Sequence, residues 1–210
     1  MTMAKTVKRS PIALAILALL YEAPMHPYRM QQLIKERGKD EVINVTQRAS
    51  LYQTISRLER EGLIASQGLS RDENRPEKTV YELTTAGREI AIDWMRQILS
   101  TPTLEFPDFP AAVSFLPLLT PEDALHQLER RAAALQSELD RIDKQFELTK
   151  LVPRLFLLEM EYLRAANATQ LQWVRTIVAD LKSGDLTWSE AWLRKVAAEL
   201  AQHHRETQSP

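Results

Sequence analysis

Apolar positions in the first hundred residues follow a helical rhythm that gives way once to strand-like alternation and then returns. Ile12, Leu14, Ile16, Leu17 and Leu20 make the stretch after Ser10-Pro11 apolar on most sides, as a buried helix requires. Ser10 suits the N-cap, and Pro11 suits the first helical position, where its missing N–H is not needed. Ala23-Pro24 ends this helix, because a residue before proline is driven out of the helical region. Pro27 opens a second helix of about ten residues with Met30, Leu33 and Ile34 inward and Gly38 as its stop. A third helix is expected from Thr46, its N-cap, to Gly62 just beyond its end, with Leu51, Ile55 and Leu58 on one face.

The alternation begins there. Leu63 to Ser66 predicts one strand, and residues 79–84, where Val80 and Leu83 stand against polar neighbours, predict another. The charged stretch between them becomes the tip of a hairpin. Thr84 or Thr85 then caps a fourth helix running through Ile90, Ile92, Trp94, Ile98 and Leu99. Helix, helix, helix, strand, strand, helix is the order of a winged helix-turn-helix, so the expected class is mainly α with one small β-hairpin.

A break is expected near residue 100. Pro102, Pro107, Pro110, Pro117 and Pro121 are five of the chain's 11 prolines, and residues 101–120 are read as a connector. Residues 121–210 are read as an all-helical domain. Thr120, Pro121 and Asp123 resemble a capping box. Leu125, Leu128, Ala132, Leu135, Leu139, Ile142 and Phe146 then alternate by three and four, an a/d seam held for about three heptads. The seam predicts a dimer interface through Leu125, Leu128, Leu135, Leu139, Ile142 and Phe146. The same stripe suits a partner helix of the same chain, and Pro153 is expected to open one that ends at Gly184. Thr187 and Glu190 frame a last helix to about His204.

Composition removes several classes of chemistry. With no cysteine in 210 residues, disulfides, thiol catalysis and cysteine-ligated zinc are excluded. The longest apolar run, Ile12–Leu20, is half a membrane span. No cleavable leader is read at the N-terminus, and the expected location is cytoplasmic. Five glycines form no phosphate-cradling loop, and no nucleophile-elbow or metalloprotease pattern is present. The adjacent His203 and His204 cannot share a helix face. No cofactor, metal or enzymatic activity is therefore expected. The net charge of −1 is uninformative until the chain is split: residues 1–100 carry 15 basic and 12 acidic side chains, the remainder 12 and 16. Any polyanion should meet the first half.

The third helix carries the candidate chemistry. Opposite its apolar stripe stand Ser50, Gln53, Arg57 and Arg60, with Thr46 and Arg48 at its start. In a helix-turn-helix this element enters the major groove, where glutamine pairs with adenine and arginine with guanine. In the hairpin tip, Arg71, Arg75 and Lys78 are offset by Asp72, Glu73 and Glu77. The tip reads equally as a solvated loop or as a wing on DNA phosphates. Phe106, Phe109 and Phe115 in the connector, with Trp94 before it, read either as packing or as the lining of an effector pocket.

Three segments in order, "PMHPYRM", "ASLYQTISRLEREGLI" and "NRPEKTVYELTTAGRE", resemble the PadR-type transcriptional regulators. Pro27, Ala49 and Asn74 stand where that pattern has glycine. The helical second half resembles, more loosely, the dimerising region of longer members. The resemblance implies a homodimeric regulator, most often a repressor, on a pseudo-palindromic operator of double-stranded DNA. It places Tyr28, Arg29 and Tyr52 at phosphates and Gln53 and Arg57 in the groove. It also implies an effector, since some members release DNA on binding a small aromatic acid or a hydrophobic drug-like compound. Two other readings stay open: a winged-helix protein-interaction module, and an activator without a small-molecule effector.

Overall fold

The computed structural model describes residues 8–45, 48–70 and 78–207. The chain divides into two compact units, Met1–Leu104 and Glu105–Pro210. The division falls within the proline-rich stretch.

The first unit contains α1 (Pro11–Glu22), α2 (Pro27–Glu36), α3 (Arg48–Arg60), β1 (Ile64–Ser70), β2 (Lys78–Leu83) and α4 (Thr85–Ser100). Ser10 Oγ accepts from the Ala13 N–H at 3.3 Å and fixes the start of α1. Gly62, at φ 74°, ends α3. The Leu63 N–H then donates to the Leu58 carbonyl at 3.0 Å and the Gly62 N–H to Glu59 at 2.9 Å, the hydrogen-bond pattern of a left-handed helix stop. β1 and β2 pair antiparallel with a register shift between Ser66 and Leu69. The α1–α2 connection joins this hairpin: Met25 and Tyr81 exchange backbone hydrogen bonds of 3.0 and 3.1 Å. One core unites Ile16, Leu17, Met30, Leu51, Leu58 and Trp94.

Gly87 is sterically required. A Cβ there would lie 1.9 Å from the Leu63 carbonyl oxygen. The close approach arises because Thr84 donates to that oxygen at 2.9 Å and accepts from the Gly87 N–H at 3.0 Å. One threonine thus caps α4 and ties it to the entry of β1.

The second unit contains α5 (Asp108–Ser114), α6 (Pro121–Leu148), α7 (Leu158–Ser183) and α8 (Glu190–Thr207). Part of the expected connector is therefore helical. Pro107 caps α5 from outside and Pro110 lies in its first turn, where no N–H is needed. Thr120 Oγ1 accepts from the Asp123 N–H and starts α6. α7 begins at Leu158 rather than Pro153, because a 3-10 turn at Arg154–Phe156 intervenes. The cap of α8 is Ser189, whose Oγ accepts from the Trp192 N–H at 3.2 Å, rather than Thr187. Trp188 donates its indole N–H to the Leu119 carbonyl at 2.9 Å, which holds the chain back from helix for that residue.

Within the chain, the heptad seam packs against α7, the second of the two partners its spacing allows. Leu128 and Leu135 of α6 pack with Leu171 and Val174 of α7, flanked by Ala132 and Leu139. Ile142 is also buried, while Leu125 and Phe146 are partly exposed. Arg164–Asp143 at 2.5 Å and Lys182–Glu129 at 2.6 Å bridge the two helices and fix them antiparallel. No helix of the described residues is long and apolar enough to cross a membrane.

Candidate nucleic-acid interface

Burial along α3 defines its outward face. Leu51, Ile55 and Leu58 are essentially inaccessible. At 100° per residue, the side opposite carries Ala49, Gln53, Ser56 and Arg60, all exposed. Ser50 and Arg57 lie on one flank, half-buried, and Tyr52 on the other, 50% exposed. Ala49 and Ser56 were absent from the sequence-based set. Their small side chains mark the middle of the outward face and let the helix approach a surface closely, a signal that a search for hydrogen-bonding residues passes over.

Arg57 is already engaged. Its Nη1 donates to the Lys8 carbonyl at 2.5 Å. The guanidinium therefore holds the segment before α1 against the recognition helix, with Lys8 and Arg9 exposed. Neither of these cations figured in the sequence-based set, because the contact spans 49 positions and has no local signature.

The start of α2 is the second contact region. Tyr28 is 58% exposed. His26, the N-cap residue, makes no side-chain capping bond, and its carbonyl accepts from the Arg29 N–H at 2.9 Å. Arg29 lies back along α2 on Glu36 at 3.0 Å, both partners half-exposed. Such a surface pair is worth little and yields readily to a phosphate. On the hairpin, burial pushes the Tyr81 hydroxyl up, with Glu59 and then Tyr52 adding to it. The phenol thus stays neutral, and the Tyr52 flank of α3 is adjacent to β2. Thr46, Arg71 and Arg75 lie outside the described residues, and Arg48 and Lys78 are described by backbone alone.

The aromatic quartet is not brought together by any contact within one unit. Trp94 is 4% exposed and belongs to the core of the first unit. In the second unit, Phe106 stands 85% exposed, while Phe109 meets Trp173 edge-on at 5.9 Å. Phe115 lines a cavity that Phe109 shares. Among the described residues no group of His, Asp and Glu is arranged to hold a metal.

Residues 16–91 match the sequence model of the PadR-like transcriptional regulators. No curated protein matches the chain. Among solved structures, Bacillus subtilis PadR in complex with operator DNA superposes with a TM-score of 0.67 at 18% identity, over 83% of this chain and 99% of that one. The same protein with p-coumaric acid gives 0.62 at 17%, over 83% and 99%. The Vibrio cholerae virulence activator AphA gives 0.63 at 17%, over 82% and 98%. At these identities the superpositions establish a shared fold across both units. With the match over residues 16–91, the helix-turn-helix and wing of this chain are similar to those of the PadR-like transcriptional regulators.

Proposed function

We propose that the chain is a homodimeric, sequence-specific DNA-binding regulator, acting as a repressor in the cytoplasm. The observation that carries this reading is the outward face of α3. It is free of the core and combines small residues with one amide and one guanidinium. Gln53 and Arg60 are the base readers, Ser56 and Ala49 permit close approach, and Tyr28, Arg29 and Tyr52 hold phosphates. Arg57 serves the interface by fixing Lys8 and Arg9 beside the groove. The operator complex of Bacillus subtilis PadR supports the same use of the fold.

Dimerisation follows from the second unit. One winged helix neutralises few phosphates and binds weakly at cellular salt. Two recognition helices about 34–36 Å apart meet successive major grooves. With Leu128 and Leu135 committed to α7, the protomers meet through apolar side chains left outside that hairpin, among them Trp192 and Leu200 of α8, both more than half exposed. A small aromatic acid is the effector class, as p-coumaric acid is the ligand of Bacillus subtilis PadR.

The test is a mobility shift against the DNA upstream of the chain's own gene, repeated across a salt titration. Binding whose logarithm falls steeply with log salt, by about 0.9 per phosphate neutralised, supports the reading. Affinity that ignores salt, or is equal on scrambled DNA, overturns it. The sign of regulation is read by in vitro transcription from that promoter, since AphA is an activator on the same fold.

A further inference from the structure

Three cations on the helical hairpin are answered by carboxylates. Arg164 meets Asp143, Arg141 meets Glu138, and Lys182 meets Glu129. Arg131 differs from these. Its Nη2 donates to the neutral Gln170 Oε1 at 3.1 Å, and its Nε is buried without a partner. The guanidinium carbon lies 3.5 Å from the centre of the Phe109 ring. Burial lowers the proton affinity of Arg131, and no carboxylate offsets that effect. A positive charge on an aromatic face in apolar surroundings is an incomplete arrangement, because desolvation is answered by only one neutral hydrogen bond.

Arg131 also lines a cavity of about 580 Å³, whose other walls include Phe115, Leu116, Leu118 and Leu128. That volume lies in the range that holds small organic ligands. The lining is overwhelmingly apolar, and Arg131 is its one charged side chain. Phe109 forms the wall beneath the guanidinium and meets Trp173 in a T-shaped contact.

From this placement we propose that the cavity between α5 and α6 is the effector site, and that it takes a planar apolar carboxylate whose anionic group is held by Arg131. The inference rests on the effector part of the proposed function and assigns that effector a place and a charge requirement. The apolar body fills the pocket against Phe115 and Leu128. The carboxylate meets the outer guanidinium nitrogens, where Nη1 has no hydrogen-bond partner among the described residues. A planar guanidinium presents paired donors that match the two oxygens of a carboxylate. Phe109 carries the event onward, since any shift of Arg131 moves its stacked ring against Trp173.

The experiment is isothermal titration of the 210-residue chain with 2-naphthoate and with its methyl ester, followed in parallel by tryptophan fluorescence. Wild type should prefer the acid by about tenfold, the scale of one charge-assisted contact. Arg131→Met, which keeps length and apolar contact, should abolish that preference while leaving ester binding in place. Arg131→Lys should recover part of it, because a charge remains without the planar fork. Circular dichroism melting checks that each variant is folded, and Gln127→Ala at the cavity rim serves as a second probe should Arg131→Met melt early. Equal affinity of wild type for acid and ester overturns the charge requirement. Acid preference that survives in Arg131→Met places the site elsewhere while sparing the effector reading. Absence of binding by both compounds removes the inference and the effector reading together, and leaves DNA binding to its own assay. Ligand affinity that falls as protein concentration rises identifies the cavity as covered by a second copy and likewise overturns the proposal.

Discussion

The two units are nearly equal in length, yet they are built to different degrees of completeness. Among the described residues, eighteen apolar side chains of the first unit are buried, against six in the second: Ala124, Leu128, Leu135, Ile142, Leu171 and Val174. The winged-helix unit closes its core with every element contributing. The helical unit closes one seam and leaves Leu118, Leu155, Phe156, Tyr162 and Trp192 largely exposed. Exposed apolar area on this scale marks an interaction surface. On the proposed reading, a unit that meets DNA needs a rigid shape of its own, whereas a unit through which copies assemble stays unfinished until it meets one.

The contrast can be broken at its strongest point. Gly87→Ala should cost the first unit about 3 kcal/mol or more, because the new methyl collides with backbone rather than a yielding side chain. Chemical denaturation should then show an early loss of the wing and α4, with the α6–α7 hairpin melting as before. A single unchanged transition would mean that the Leu63–Thr84–Gly87 junction is looser than drawn. Next in size, Trp192→Ser with Leu200→Ser should weaken self-association by about a hundredfold if these are anchor residues, seen as monomers in analytical ultracentrifugation. Leu135→Asp should do something different and unfold the hairpin itself, since it buries a charge against Leu171 and Val174.

Smaller effects sharpen the reading of the first unit. Gln53→Ala should reduce specific DNA binding by about 1–3 kcal/mol and leave non-specific binding alone, while Arg29→Ala should weaken both and flatten the salt slope by about one. The mobility-shift titration separates the two. Smallest of all is the exposed bridge in which Arg37 meets Glu22 at 2.6 Å. The Arg37 hydrogen bond holds the Glu22 carboxyl below its usual range. Its stabilisation is therefore complete above the ordinary carboxylate range and is lost as pH falls through the lowered folded value. Glu22→Gln should cost less than about 1 kcal/mol at neutral pH and flatten the acid limb of the stability curve by the same amount.

Local chemistry was legible in the sequence. Ser10, Thr84 and Thr120 as caps, Gly62 as the stop of α3, and Leu51, Ile55 and Leu58 as its buried stripe each depend on neighbours within a few positions. What spacing cannot encode is the identity of a distant partner. A three-four repeat is the same whether the facing helix belongs to another protomer or lies later in the chain, so the spacing left both open, and within the chain α7 packs on the α6 seam. Trp94 read either as packing or as pocket lining, because its position beside the proline-rich stretch is visible in the sequence and its place in the core of the first unit is not. The Arg57–Lys8 and Arg131–Phe109 contacts join residues far apart, and no local pattern announces either. Ser189 displaced Thr187 as a cap only because Trp188 is tethered to Leu119.

The exchange of backbone hydrogen bonds between Met25 and Tyr81 has a mechanical consequence. It ties the turn just before α2 to the central stretch of β2, so the two regions that flank α3 cannot spread or close independently. On DNA, the first unit then behaves as a fixed-jaw gauge. It cannot adapt to a backbone spacing that differs from its own, and a duplex that fits badly must itself deform, at a cost set by its base steps. Selectivity for stiff or pliant sequence would in this way reach base pairs that no side chain touches.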